Sequence, residues 1–285
     1  MDYKINILIY GINGYIGQNI KKYLCKHNEI NILYSNFDKI INKEQIVNDI
    51  ETLKPDRIIS CIGLVKNNTT FSTLFLNDNK YLKDNIQNNL FIHILISNIC
   101  LEKNIHFTYI GTGCIFSCDK SYIFDENDEP NFFKSSYTLI KSFTDKLLSL
   151  NEKKILIIRL RQCLNDDISK QNFINKFLSY DTICDIQNSF TVIPSIFPII
   201  SLLILEKKCG KFNCVNKGSI SVKEIVEIFN NDKKINIMDK NYVYENYANN
   251  ILSTKNLEEF HYVEDIKEAI LKLKDNYVLK LKLNL

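Results

Sequence analysis

The stretch Lys4-Ile5-Asn6-Ile7-Leu8-Ile9-Tyr10-Gly11-Ile12-Asn13-Gly14-Tyr15-Ile16-Gly17 decides how the chain folds. Its first half is a short apolar run closed by a glycine, which reads as a buried strand. A helical pattern follows to about residue 27. Glycine is scarce, eight in 285 residues, yet three fall in this one turn. A glycine turn between strand and helix lets backbone approach a pyrophosphate, which the helix N-terminus then stabilises. The third glycine lets the helix pack close to the strand. Gly11, Asn13, Gly14, Tyr15, Ile16 and Gly17 are therefore expected to contact a dinucleotide; the alternative is a plain strand-to-helix turn.

The glycine spacing is G-x-x-G-x-x-G, the variant seen in short-chain dehydrogenase-type Rossmann domains. A second strand over residues 30–34 ends in Tyr34-Ser35-Asn36, with no carboxylate before Asp38. A free ribose 2′-hydroxyl usually meets an acid there, so NADP(H) is expected, with NAD(H) as the alternative. A helix over 45–53 and a turn at Pro55-Asp56 lead to a third strand over 57–62. Cys61, Ile62 and Gly63 at its end would pass close to the bound dinucleotide. Residues 64–79 read as an irregular loop flanking the active site. A long helix is expected over 81–102, with an apolar face of Ile86, Leu90, Ile94, Leu95 and Ile99; Asn85 on it either holds local backbone or faces solvent.

A strand over 105–110, a loop over 111–116, a polar excursion over 119–134, a helix from Tyr137 and a strand over 155–159 continue the rhythm. Strands alternating with helices at this spacing imply βαβ units. The expected fold is α/β, a Rossmann-type doubly wound parallel sheet. After residue 161 the elements shorten: a helix over 172–180, an extended run over 185–192, a helix over 195–206 and a strand over 211–215. A Ser221-x-x-Glu224 capping box opens another helix, and two more are expected over 254–259 and 263–274. Residues 1–160 thus read as the dinucleotide-binding domain and 161–285 as a smaller C-terminal substrate-binding region. The boundary is soft, because the 195–206 helix could return to the first domain.

Composition narrows the function classes. A net charge of +3 from 36 basic and 33 acidic residues leaves no electrostatic footprint for nucleic acid or membrane. No apolar run approaches a membrane span, and the polar start over residues 1–6 is no signal peptide, so a cytoplasmic location is expected. Nine cysteines without a C-x-x-C pair suggest neither a disulfide framework nor a metal site. The four dispersed histidines read as structural.

The chemistry centres on the carboxyl end of the 105–110 strand, where open α/β sheets bind ligands. Thr112 and Cys114 lie just past it. Tyr137 and Lys141, four apart, share one face of the following helix. With 15 tyrosines in the chain, about two Tyr-x-x-x-Lys pairs arise by chance, so the pair counts for its company. A phenol, an ammonium and a hydroxyl near a strand end can protonate a carbonyl oxygen while hydride reaches its carbon. Arg159 and Arg161 alternate at the end of the next strand. Arg161 is the expected phosphate or substrate contact, with Arg159 equally suited to a structural ion pair.

Taken in order, the glycine turn, the strand-end Thr112 and the Tyr137/Lys141 pair resemble the extended short-chain dehydrogenase/reductase superfamily. A closer resemblance is carried by Gly111-Thr112-Gly113-Cys114-Ile115-Phe116, Asp128-Glu129-Pro130-Asn131-Phe132, Arg159-Leu160-Arg161, Asn172-Phe173-Ile174-Asn175-Lys176, Phe190-Thr191-Val192 and Gly210-Lys211-Phe212-Asn213. These look like the plant-type UDP-4-keto-6-deoxyglucose 3,5-epimerase/4-reductase, which makes UDP-L-rhamnose. The resemblance runs from residue 7 to about 270. It implies that Tyr137 is the acid for the C4 oxygen and that Lys141 depresses the phenol pKa and holds the nicotinamide ribose. Thr112 would bond the keto group. Cys114 and Lys176 would be the epimerisation pair, similar to the cysteine-based site of GDP-fucose synthase, which has His in place of Lys. Asn172 and Phe173 would contact substrate. No metal is implied; a homodimer and an upstream 4,6-dehydratase are.

The chain departs from that family at Ser60-Cys61-Ile62-Gly63-Leu64-Val65-Lys66, in place of a small-residue loop, and at residues 194–198, which lack acids. Competing expectations are a reductase acting on an already epimerised 4-keto-rhamnose, and a non-catalytic dinucleotide-binding subunit that regulates others.

Overall fold

The computed structural model describes residues 4–64, 79–118, 122–230 and 232–283. Its central sheet has six strands: β1 (Ile5–Tyr10), β2 (Ile30–Leu33), β3 (Arg57–Ser60), β4 (His106–Thr112) and, after the short β5 (Ile123–Phe124), β6 (Ile155–Leu160), with β8 below. β1 pairs in parallel with β2 and β3, and β3 in parallel with β4. Parallel neighbours need crossovers, which the helices supply. They are α1 (Tyr15–Leu24), α2 (Lys43–Leu53), the α3 (Asn79–Ile86) to α4 (Ile92–Glu102) pair and α5 (Ser136–Ser149). Later come α6 (Phe173–Ser179), β7 (Thr182–Ile183), α7 (Ile193–Leu205), β8 (Gly210–Asn213) and α8 (Val222–Phe229). The chain ends through β9 (Asn236–Ile237), α9 (Lys240–Asn246), β10 (Ile251–Leu252), α10 (Lys255–Phe260) and α11 (Ile266–Leu283). The sheet order β2-β1-β3-β4-β6-β8 reverses between β1 and β3, the switch at which such sheets bind ligands.

Two compact units share the chain. One comprises Met1–Ile115, Phe132–Ile158 and Ile200–Lys211; the other Phe116–Asn131, Arg159–Ile199 and Phe212–Leu285. The chain therefore crosses between them several times rather than once near residue 160, and the second half of α7 belongs with the first unit. The first unit's core packs Leu8, Ile58, Phe107 and Ile157 of the sheet against Ile46, Ile50, Ile96 and Ile99 of the helices. The second has its own core, with Leu164, Ile174, Phe190, Ile225 and Ile270 among its members. Each core side chain stabilises its unit by roughly 1.5–3 kcal/mol relative to exposure.

Two expectations change. β4 runs two residues beyond the expected strand, so Gly111 and Thr112 are still in the sheet. The helix expected over 81–102 is α3 and α4 joined by a π-helical turn, Gln87–Phe91. The wider turn shifts the helix phase, and Ile86, read as core, is exposed. What points inward instead is a polar series four residues apart, Asn85, Asn89, His93 and Ser97, each at most 1% exposed.

The nine cysteines are free thiols, and no helix among the described residues is long and apolar enough to cross a membrane. The loop expected to flank the active site lies, over 65–78, outside the described residues.

Candidate active site

In the first unit, the turn from β1 into α1 needs its glycines. Gly11 has φ of +74°, and a Cβ there would lie 2.7 Å from the Cys61 carbonyl carbon. The backbone at Cys61 and Ile62 therefore runs directly against the turn. A Cβ on Gly17 would strike the Gly11 carbonyl oxygen and come 2.7 Å from the Ile12 Cα. Helix α1 starts after Gly14 with no side chain bonded to its first amides and no acid in its first turn. Asn13 and Gly14 are exposed, Tyr15 and Ile16 half-buried. An accessible helix N-terminus with neither an acid nor a side-chain cap fits a dinucleotide pyrophosphate.

Past β2, a carboxylate is present but committed elsewhere. Asp49 of α2 is fully buried and accepts from Ser35 Oγ (2.6 Å) and the Asn36 amide (2.9 Å). It fixes the Tyr34-Ser35-Asn36 turn and does not present a free acid to a ribose.

Past β3, the loop at Gly63 and Leu64 is held by a residue that the sequence reading did not single out. Asn89, in the π-turn, accepts from the Leu64 amide (3.2 Å) and donates to the Leu64 carbonyl (3.0 Å) and to Asn85 Oδ1 (2.6 Å). Asn85 in turn donates to Ser136 Oγ at the start of α5 (3.4 Å). Asn85 thus turns out to be a buried link rather than a solvated one. The signal available in the sequence was the four-residue spacing of Asn85, Asn89, His93 and Ser97.

Thr112 ends β4 and is buried; its Oγ1 accepts from the Cys114 amide at 3.1 Å, so the two side chains belong to one tight turn. Cys114 is half-buried rather than packed into the core. Helix α5 opens on a reciprocal Ser135–Thr138 cap, which sets where its first turn begins. Tyr137, in that turn, is half-buried, and Lys141 one turn later is only 5% exposed. Burial pulls the Lys141 ammonium down to about 7, against the opposing pull of Asp145. Burial also pushes the Cys61 thiol up to about 12 and, with the Lys141 charge, holds His93 well below the usual histidine range. This turn-and-helix pair therefore brings a hydroxyl, a thiol, a phenol and a proton-exchanging amine into one unit.

In the second unit, Lys176 on α6 is half-buried, with its Nζ 4.5 Å from the centre of the Phe173 ring. Desolvation lowers its pKa. Two further expected site residues lie in buried hydrogen-bond networks of this unit. Asn172, expected to contact substrate, is fully buried, and its side-chain amide makes four hydrogen bonds. It accepts from Asn165 N and Ile174 N (both 3.1 Å) and donates to Asn165 O (2.6 Å) and Asp167 O (2.7 Å). It is the cap of α6. Arg161, expected to contact a phosphate or substrate, is 2% exposed, and its Nη2 donates to Asn188 Oδ1 (3.0 Å) and the Ala248 carbonyl (2.5 Å). It ties the second unit's loops together. Arg159 is equally buried, over the Phe116 ring and bonded to the Glu126 carbonyl (3.2 Å).

The chain is similar to known proteins. The family model described as the RmlD substrate binding domain matches residues 5–183. Protein L780 of Acanthamoeba polyphaga mimivirus is 32% identical over 286 residues, covering 94% of this chain and 98% of that protein. The crystal structure of the L780 UDP-rhamnose synthase superposes with a TM-score of 0.87 at 30% identity, over 96% of this chain and 99% of that one. A bifunctional dTDP-4-dehydrorhamnose 3,5-epimerase/dTDP-4-dehydrorhamnose reductase of Arabidopsis thaliana is 29% identical, over 94% of this chain and 91% of that protein.

Proposed function

The chain belongs to the RmlD substrate binding domain family, and from that premise we propose that it converts UDP-4-keto-6-deoxyglucose to UDP-L-rhamnose. It is a nucleotide-sugar enzyme, a 4-keto-sugar reductase of the extended short-chain dehydrogenase/reductase type. The observation that carries the reading is Lys141, buried one helical turn from Tyr137, with a pKa brought to about 7. A lysine held there exchanges a proton near neutral pH, as an acid/base partner must.

NADPH, when bound, supplies the hydride. The backbone from Gly11 to Gly17 would hold its pyrophosphate, Cys61 to Gly63 would lie along it, and Lys141 would hold its ribose. The commitment of Asp49 to Ser35 and Asn36 supports NADPH over NADH. Tyr137 gives its proton to the C4 oxygen, Lys141 lowers the cost of the resulting phenolate, and Thr112 bonds the same oxygen. Inversion must come first, because the C4 ketone is what makes the C3 and C5 protons acidic. Cys114, a thiol on the turn after β4, removes or returns one proton. Lys176, whose ammonium is disfavoured by desolvation, exchanges the other. The substrate must be supplied by a 4,6-dehydration of a nucleotide hexose. The exposed Phe143, Leu147 and Leu150 on and just after α5 suit a homodimer contact, and the nine reduced thiols suit the cytoplasm.

The test is proton exchange in deuterated water without NADPH. The enzyme should carry deuterium into C3 and C5 of the ketone, and Cys114→Ala should stop it. Uptake by Cys114→Ala at the full rate would replace this reading with a reductase that receives an already epimerised sugar.

A further inference from the structure

Three elements of the first unit meet on one aromatic ring. Tyr109 of β4 is fully buried, three residues before Thr112. The Lys141 Nζ of α5 lies over its ring, 4.6 Å from the centre. His93 of α4 packs edge-on against the same ring, at 4.7 Å between centres and 66° between planes. Residues two apart on a strand share a face, so Gly111 is the ring's neighbour. A Cβ on Gly111 would come 2.9 Å from Tyr109 Cε1. The glycine is thus what leaves the ring its place under the amine.

We propose that Tyr109 is a positioning residue: its ring face seats the Lys141 ammonium and keeps it charged for its work beside Tyr137, and Gly111 admits the ring. This rests on the reading of Lys141 as the partner of Tyr137. The groups facing that amine are Asp145 on α5, Cys61 at the end of β3, His93 on α4 and the ring itself. Around neutral pH Cys61 is a protonated thiol and His93 a neutral imidazole. Neither offers a negative charge, so Asp145 and the electron-rich ring face are left to offset burial. A cation over a desolvated aromatic face is attracted to its quadrupole, and the attraction weakens as fluorine withdraws electron density from the ring.

The test keeps the shape and varies the face. Position 109 is filled by Tyr109→Phe, then by 3,5-difluorophenylalanine and 3,4,5-trifluorophenylalanine. Two pH profiles are read, each against the Phe variant. One is urea stability of the cofactor-free protein from pH 5 to 10, which follows Lys141 without any substrate. The other is kcat/KM for NADPH-dependent reduction of UDP-4-keto-6-deoxyglucose. Phe should leave both profiles where the native ring puts them. Trifluorination should move the Lys141 inflection in both downward by about half to one pH unit, with difluorination between. In stability, the loss should appear at pH 6 and vanish at pH 9, where the folded amine is already neutral. A merely structural ring would move neither inflection. Superimposable profiles across the series would overturn the proposal. Lys141→Met separates it from the reading beneath: full turnover in that variant would remove Lys141 from the chemistry, whatever the ring does.

Discussion

Lys141→Met should make the protein more stable and leave it inactive. Methionine is unbranched, of similar length and free of charge, so it can fill the lysine's place. In the folded chain, burial brings the ammonium from its ordinary 10.5 to about 7. Between those two values the unfolded chain holds a proton that the folded chain has lost, so stability rises with pH across the window. Below pH 7 both states are charged and the folded state carries the whole penalty. At about 1.4 kcal/mol per unit, that penalty is on the order of 4–5 kcal/mol at pH 6. Some is returned when the contact with Tyr109 is lost, leaving an expected gain of about 2–4 kcal/mol. By pH 9 the folded lysine is neutral, and the gain should shrink by about 2–3 kcal/mol. Urea denaturation of both proteins without cofactor, at pH 6 and pH 9, measures it. A variant less stable than the native chain at pH 6, or a gain identical at the two pH values, would mean that burial does not penalise the Lys141 ammonium.

Two further substitutions test the scaffold. Asn172→Ala removes the α6 cap and leaves the Asn165 and Asp167 backbone groups without their partner, and should cost about 2–3 kcal/mol in urea denaturation; a change under about half a kcal/mol would mean that water takes over those bonds. Gly17→Ala forces a methyl against the Gly11–Ile12 backbone and should cost about 1–3 kcal/mol while weakening NADPH binding in a fluorescence titration; unchanged binding would show that the turn shifts without consequence.

What the sequence disclosed and what it hid divide along physical lines. A glycine forced by φ of +74° at Gly11, or by a backbone contact at Gly17, leaves a residue type that can be read directly. The Tyr137/Lys141 pair is legible because helical spacing is fixed. Burial is not. A lysine and an arginine are ordinarily solvated, so nothing in the letters tells that Lys141 and Arg161 are enclosed, or that Arg161 is spent on Asn188 and Ala248. The π-turn was hidden for a different reason. One widened turn rotates the rest of the helix, and a pattern search tuned to apolar residues follows Ile86 outward and overlooks Asn89. The capping role of Asn172 is legible from its place just before an apolar helix.

In the proposed sequence a single chain first inverts two carbons and then reduces a third. Incubating the enzyme with UDP-4-keto-6-deoxyglucose and NADPH in deuterated water, then recording the NMR spectrum of the sugar, tests it directly. The expected product is UDP-L-rhamnose carrying deuterium at C3 and C5 and hydrogen from NADPH at C4. A D-configured 6-deoxy product, or recovered ketone with its C3 and C5 protons intact, would contradict it.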